Sequence, residues 1–284
     1  MNKKVLITGA TGFIGRALVS KLKDLGEEVL PVCSSEGRIQ NPQTLLKFSD
    51  FPIKHIFHLA AKTYIPQAWE HPWELYETNV MGTLGVLELC KTKKIPLTFV
   101  SAYVYGIQEK LPITELSTPK PNNPYASSKI LAENLCKFYA DTYNIQTAVI
   151  RPFNVYGIGQ KEHFLIPHLI KQALTSAEIV VNDLIPTRDF IYLDDLVEAL
   201  ILTMNTIDNF EIYNIGSGES FSIRQVIDQI QLLAGTSKLV RCENKPRINE
   251  ILETLADTSK AQKKLNWTPS VNFSEGIKRV LESC

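Results

Sequence analysis

The chain has 284 residues, 44% hydrophobic and 21% charged, with 30 basic residues balanced by 30 acidic ones. That composition fits a soluble globular protein of one large domain or two smaller ones. Zero net charge without a polybasic run argues against a nucleic-acid or anionic-membrane partner. The five cysteines, Cys33, Cys90, Cys136, Cys242 and Cys284, are scattered and form no C-x-x-C. They read as reduced thiols in a cytoplasm rather than a disulfide framework or a metal site. Val5-Leu6-Ile7 is too short for a signal-peptide core, and no apolar run reaches the length of a membrane span.

Val5 to Thr8 reads as a short buried strand running into Gly9-Ala10-Thr11-Gly12-Phe13-Ile14-Gly15. Ala17, Leu18, Leu22 and Leu25 then follow helical spacing up to Gly26. Strand, glycine turn and helix together present backbone N–H groups to a phosphate, the alternative being a plain glycine-rich turn. Glu28 to Cys33 is a second strand. An acidic residue near its end would select NAD through the ribose 2′-hydroxyl. Here Cys33-Ser34-Ser35 stands there with Arg38 beyond, a set that suits a 2′-phosphate, although Glu36 is close and Arg38 could equally be a solvated loop residue.

His55 to Ala61 holds a third strand, with His58 read as a packing residue and Ala60 and Ala61 as small residues that let a cofactor approach. Trp69 to Trp73, aromatic and broken by proline, reads as a loop or lid. A helix with Val80, Leu84, Leu87 and Leu89 begins near Asn79. Leu97 to Ser101 and Gln146 to Ile150 are the fourth and fifth strands. Alternation of this kind predicts a parallel sheet, with ligands beyond the carboxyl ends of the strands, where Gly9, Ala60 and Ser101 fall.

Between the last two strands lies Asn122-Asn123-Pro124-Tyr125-Ala126-Ser127-Ser128-Lys129, with a proline at a helix start and Ile130, Leu131, Leu135, Phe138 and Tyr139 at helical spacing after it. Tyr125 and Lys129 are i and i+4 on one face. An ammonium beside a phenol lowers its pKa and makes the pair a proton-transfer device near neutral pH, unless Y-x-x-x-K merely decorates the helix.

Taken together, Gly9/Gly12/Gly15, His58-Leu59-Ala60-Ala61, Asn79-Val80-Met81-Gly82-Thr83, Ser101 with Val104-Tyr105-Gly106, and Tyr125/Lys129 resemble an extended short-chain dehydrogenase/reductase of the nucleotide-sugar epimerase/dehydratase type. The likeness continues through Arg151-Pro152-Phe153-Asn154-Val155-Tyr156-Gly157, Arg188-Asp189-Phe190-Ile191-Tyr192 and Asn214-Ile215-Gly216-Ser217-Gly218. The resemblance implies an α/β fold with a Rossmann-type doubly wound parallel sheet, formed by residues 1–154 and about 188–216. A smaller nucleotide-sugar-binding domain would comprise 155–187 and 217–284.

Carried over, Tyr125 is the general acid/base, Lys129 lowers its pKa and holds the nicotinamide ribose, and Ser101 hydrogen-bonds the reacting oxygen. Cofactor contacts are expected from Gly9, Thr11, Gly12, Phe13, Ile14, Gly15, Ser34, Ser35, Arg38, Leu59, Ala60, Ala61, Asn79, Tyr125, Lys129 and Phe153. Substrate contacts are expected from Thr63, Tyr103, Asn154, Arg188 and Arg247, the two arginines on a diphosphate. For Arg188 the alternative is a salt bridge to Asp189 or Asp194, and Asp257 is read as structural.

Two departures narrow the chemistry. The family's 4,6-dehydratases place Asp-Glu after the catalytic hydroxyl residue, where this chain has Ala102-Tyr103. Its bifunctional epimerase-reductases carry a cysteine at the position of Tyr103. What remains is redox at one carbon: an NAD(P)H-dependent reductase of a nucleotide-linked 4-keto-6-deoxy sugar, in deoxysugar and surface-polysaccharide synthesis, or an NAD-dependent 4-epimerase. NADP(H) is the preferred cofactor and NAD(H) a possible one. A non-catalytic dinucleotide sensor is the reading from a different class, and a full set of Ser101, Tyr125 and Lys129 argues against it. The family also implies a homodimer in which the helices starting near Asn79 and Tyr125 pair into a four-helix bundle, and no metal is expected.

Overall fold

The computed structural model describes residues 3–102, 104–245 and 250–284. Strands and helices alternate through the first half as β1 (Lys4–Thr8), α1 (Phe13–Asp24), β2 (Val29–Val32), α2 (Pro42–Leu46), β3 (Ile53–His58), α3 (Ile65–Glu70), α4 (Pro72–Tyr76), α5 (Gly82–Lys93), β4 (Leu97–Val100), α6 (Pro124–Tyr143) and β5 (Thr147–Pro152). The second half contains β6 (Asn154–Tyr156), α7 (Leu165–Thr175), β7 (Glu178–Val181), β8 (Thr187–Tyr192), α8 (Leu193–Leu202), β9 (Phe210–Ile215), β10 (Ser220–Ser222), α9 (Ile223–Ala234), β11 (Leu239–Cys242), α10 (Ser259–Leu265) and α11 (Phe273–Glu282).

Six strands form one sheet in the order β2-β1-β3-β4-β5-β9, every pair parallel. Such strands are covered on both faces and so are apolar throughout; β4 and β5 are buried at every residue. One face packs Leu18 and Leu22 of α1 with Leu196 and Leu200 of α8 and with Trp267. The other packs Val86, Leu87 and Leu89 of α5 with Ala132, Cys136 and Tyr139 of α6. The sheet is therefore doubly wound. The strand order reverses at β1, between β2 and β3, which opens a crevice at their carboxyl ends.

A second layer is built from a three-stranded sheet, β10-β8-β6, and a parallel pair, β11-β7. Its own core holds Tyr156, Leu169, Ile227 and Ile277. The boundary expected near Arg188 falls inside β8, whose strand belongs to this layer while α8, directly after it, packs on α1. Ala261, Leu265 and Trp267, near the C-terminus, also join the core of the main sheet.

Two local expectations are corrected. Trp69 to Trp73 is not a loop: α3 and α4 occupy this stretch, separated at His71. Pro72 stands at the first position of α4, where its missing N–H costs nothing, so it starts a helix rather than breaking one. The helix expected to begin near Asn79 begins earlier, and Glu77–Met81 is one wide-wound turn joining α4 to α5. Such a turn inserts an extra residue and re-aims side chains; Asn79 within it is turned inward and is buried.

Candidate active site

β1 delivers the chain to Gly9 at φ +72, and a Cβ there would lie 2.7 Å from the Ala60 backbone nitrogen. A Cβ on Gly15 would lie 2.1 Å from the Gly9 carbonyl oxygen, so α1 rests directly on the turn. Gly12 caps α1 without any side-chain acceptor, leaving its first N–H groups for an external anion. This cradle fits a dinucleotide diphosphate.

A cleft of about 480 Å³ opens beside it, and its walls include Gly9, Thr11, Gly12, Ser34, Arg38, Leu59, Ala60 and Ala61 from the expected set. Phe13, Ile14, Gly15, Ser35, Asn79, Phe153, Tyr125 and Lys129 are not among its walls. Phe13 and Ile14 pack against the main core, and the Ser35 hydroxyl lies 3.2 Å from Cys33 Sγ. Sequence reading missed Gln40, Lys62, Glu74, Glu77 and Thr78, which also line the cleft. Lys62 is ion-paired to Glu74, and Gln40 Nε2 donates to Glu77 at 3.4 Å. The cleft that Arg38 lines thus carries two carboxylates and a second cation. Reading the tryptophan stretch as helix is the signal that would have found Glu74.

The three residues expected to react, Ser101, Tyr125 and Lys129, gather where α6 meets the ends of β4 and β5. The Asn123 side chain accepts from the Ala126 N–H and Pro124 fills the first turn, so α6 starts sharply in front of Tyr125. Tyr125, Lys129 and Glu133 follow at four-residue spacing on one face. Tyr125 is half-buried. Lys129 is 2% exposed, with Nζ 4.2 Å from the centroid of the Phe99 ring. Burial lowers its pKa to about 8, and the Glu133 charge opposes that shift. Ser101 follows β4, its N–H donating to the Ile150 carbonyl at 2.7 Å. Its Oγ donates to Glu133 Oε1 at 2.5 Å, which ties Ser101 to the Tyr125–Lys129 face. Arg151 clamps the same carboxylate, Nε to Oε1 at 3.0 Å and Nη2 to Oε2 at 2.5 Å.

A second buried network supports the cleft. Asn79 Oδ1 accepts from the Lys62 N–H, and its Nδ2 donates to the Lys62 carbonyl and to Ser128 Oγ, one residue before Lys129. The Thr83 hydroxyl donates to the Asn79 carbonyl, so it accepts from His58 Nε2–H at 3.0 Å. His58 Nδ1 then accepts from the Thr8 hydroxyl at 2.6 Å, which in turn accepts from the Ala60 N–H. Both ring nitrogens are satisfied by a neutral imidazole, and burial brings the pKa down to about 3.

Of the expected substrate residues, Asn154 on β6 and Arg188 on β8 lie in the second layer. Arg188 pairs with neither Asp189 nor Asp194; its Nη2 meets Glu250, the two side chains 13% and 15% exposed. Asp189 is buried and accepts backbone N–H bonds from Ser217, Gly218 and Ala256. Asn154 Nδ2 donates to the Asp189 carbonyl at 3.1 Å. Asp257 accepts from the Ser259 N–H just ahead of α10. Thr63 is exposed between β3 and α3. Tyr103 and Arg247 lie outside the described residues.

Comparison with known proteins covers nearly the whole chain. GDP-6-deoxy-D-mannose reductase of Pseudomonas aeruginosa is 28% identical, over 99% of this chain and 97% of that protein. Among solved structures, UDP-glucose 4-epimerase of Thermotoga maritima with UDP-glucose superposes with a TM-score of 0.92 at 28% identity, over 99% of this chain and 98% of the other. RMD from Pseudomonas aeruginosa complexed with NADPH gives 0.90 at 26% identity, again over 99% and 98%. Residues 5–216 match the model of one family along the same stretch that holds the glycine cradle, Ser101 and the Tyr125–Lys129 face, and the chain belongs to that family, the NAD dependent epimerase/dehydratase family.

Proposed function

We propose that the protein is an NAD(P)H-dependent reductase of a nucleotide-linked 4-keto-6-deoxy sugar. The observation that carries this reading is the α6 face on which half-buried Tyr125 and buried Lys129 stand, with Ser101 tied to it through Glu133. A nicotinamide held from the cradle toward this face supplies the hydride. Tyr125 passes its phenolic proton to the oxygen that gains charge, and the ammonium of Lys129 makes the resulting phenolate less costly. Ser101 supplies a second hydrogen bond to that oxygen. Arg188, Asn154 and Arg247 are assigned to the nucleotide-sugar diphosphate, with Thr63 and Tyr103 beside the sugar. On this reading residues 1–154 and about 188–216 form the dinucleotide-binding domain, and 155–187 with 217–284 form the nucleotide-sugar-binding domain. The five free cysteines suit a cytoplasmic setting.

NADPH is the preferred donor on the strength of Ser34 and Arg38, which line the cleft. One observation favours the second reading, an NAD-dependent 4-epimerase: Glu74 and Glu77 line the cleft near Arg38 and oppose an extra phosphate. The two separate by stoichiometry. The protein is incubated with GDP-4-keto-6-deoxymannose, UDP-glucose or UDP-N-acetylglucosamine, with and without NADPH. A reductase consumes one NADPH per keto sugar and leaves the saturated sugars alone. Epimer formation without added NADPH, together with a stable NADPH absorbance on the keto sugar, would establish the epimerase instead. Wild-type use of NADH at least equal to NADPH, unchanged by Arg38→Ala, would reject the NADPH preference.

A further inference from the structure

We propose that Glu133, clamped by Arg151, is a positioning residue that takes the Ser101 hydrogen bond in the resting enzyme and yields that hydrogen bond to the substrate oxygen only as negative charge develops there. The inference rests on the assignment of Ser101 to the reacting oxygen.

Ser101 is 3% exposed and owns a single hydroxyl proton, which is committed to Glu133 Oε1 at 2.5 Å. The acceptor is a carboxylate whose side chain is 5% exposed, and its other bonds are both charge-assisted contacts from Arg151 at 3.0 and 2.5 Å. Arg151 is fixed in turn: Nη1 donates to the Tyr105 hydroxyl at 2.9 Å, and the guanidinium lies 4.9 Å from the centroid of the Tyr105 ring. The Tyr105 proton goes to Asn214 Oδ1. Each named donor in this network therefore has its acceptor, and the direction of the Ser101 hydroxyl is set from behind.

The strength of the competing acceptors decides when the hydroxyl turns. A hydrogen bond to a charged acceptor is roughly twice as strong as one between neutral groups. A neutral ketone oxygen does not take the Ser101 hydrogen bond from a carboxylate. An oxygen gaining alkoxide character competes on equal terms. When the hydroxyl turns to it, Glu133 keeps both guanidinium bonds and its charge is not left unpaired. No covalent bond to Glu133 forms and the proton stays on Ser101 Oγ; Tyr125 remains the group that protonates the oxygen. An interaction made only in the transition state raises kcat without tightening ground-state binding. If the ion pair did no more than staple α6 to β5, its removal would act independently of Ser101.

The test compares wild type, Ser101→Ala, the double variant Glu133→Leu with Arg151→Met, and the triple variant. Turnover is followed with NADPH and GDP-4-keto-6-deoxymannose, or with UDP-glucose if the protein proves to be an epimerase. Exchanging a buried ion pair for apolar side chains is often neutral for stability; Glu133→Gln with Arg151→Gln is the second variant if the first does not fold. Ser101→Ala should lower kcat by about 10²-fold with KM nearly unchanged. The double variant should lower kcat by about tenfold and also lower KM, because the freed hydroxyl now binds the ground-state ketone. In the Ser101→Ala background, compared at a pH well below 8 where Lys129 keeps its ammonium in every variant, the same double change should alter neither constant. Wild-type constants in the double variant, or an equal loss of kcat in both backgrounds, would overturn the role of Glu133. Wild-type turnover by Ser101→Ala would overturn the reading beneath it. An absence of turnover on both substrates would remove both.

Discussion

An ammonium that is 2% exposed against the Phe99 ring loses hydration that a single carboxylate does not restore, so Lys129 falls to about 8 although Glu133 opposes the shift. Its ammonium is intact below that pH and is lost above it. The free enzyme's kcat/KM should therefore fall on the alkaline side with an apparent pKa near 8, read from a pH–rate profile. The stability linkage has the opposite sense. Between about 8 and the unfolded value of 10.5 the folded chain binds fewer protons than the unfolded one, so the cost of burying Lys129 is full below pH 8 and is relieved as pH rises toward 10.5. Tyr125→Phe should lower turnover by about 10²–10⁴-fold while NADPH binding, followed by fluorescence, survives. A profile flat to pH 10, or a Phe variant that turns over normally, would remove the pair from the chemistry. Tyr125 and Lys129 were legible in the sequence because four-residue spacing is a property of one helix. Glu133 shares that spacing, yet its partner Ser101 is 32 positions away and on another element.

Among the elements, α1 owes its position to a glycine that no other residue can replace. Gly15→Ala would put a methyl group 2.1 Å from the Gly9 carbonyl, a clash with backbone that no side-chain rotation relieves. Overpacking of this kind costs about 1–3 kcal/mol, and here it also moves the N–H groups of the diphosphate cradle. A denaturant melt should show that loss together with weakened NADPH binding; unchanged affinity would mean that the cradle lies elsewhere. The glycine spacing, the start of α6 at Pro124 and the alternating strands were readable because caps and periodicity act over a few residues. The tryptophan stretch was misread because proline marks a helix start as readily as a break, and only the following turn decides which.

For the molecule as a whole, the outer faces around α5 and α6 leave Met81, Leu131 and Phe138 about half exposed, with Trp73 80% exposed on nearby α4. Apolar surface of this kind on two packed helices suits a two-fold copy of itself, and we expect a homodimer with an isologous interface. Light scattering at micromolar concentration should give twice the 32.0 kDa chain mass, and Leu131→Asp with Phe138→Asp should return it to the monomer; a monomeric wild type would reject the interface. What the sequence by itself determined were features closed within one element or one turn: the glycine cradle after β1, the Tyr125–Lys129 face and the parallel α/β order. The tertiary structure alone decided the pairings between elements distant in sequence. Arg188 meets Glu250 instead of its neighbours Asp189 and Asp194, Glu74 and Glu77 face the cleft with Arg38, and Ser101 meets Glu133 and Arg151. The physical reason is that spacing along a chain constrains contacts only over a helical turn or a hairpin, whereas the order of strands in a crossover sheet sets which element ends share a buried volume.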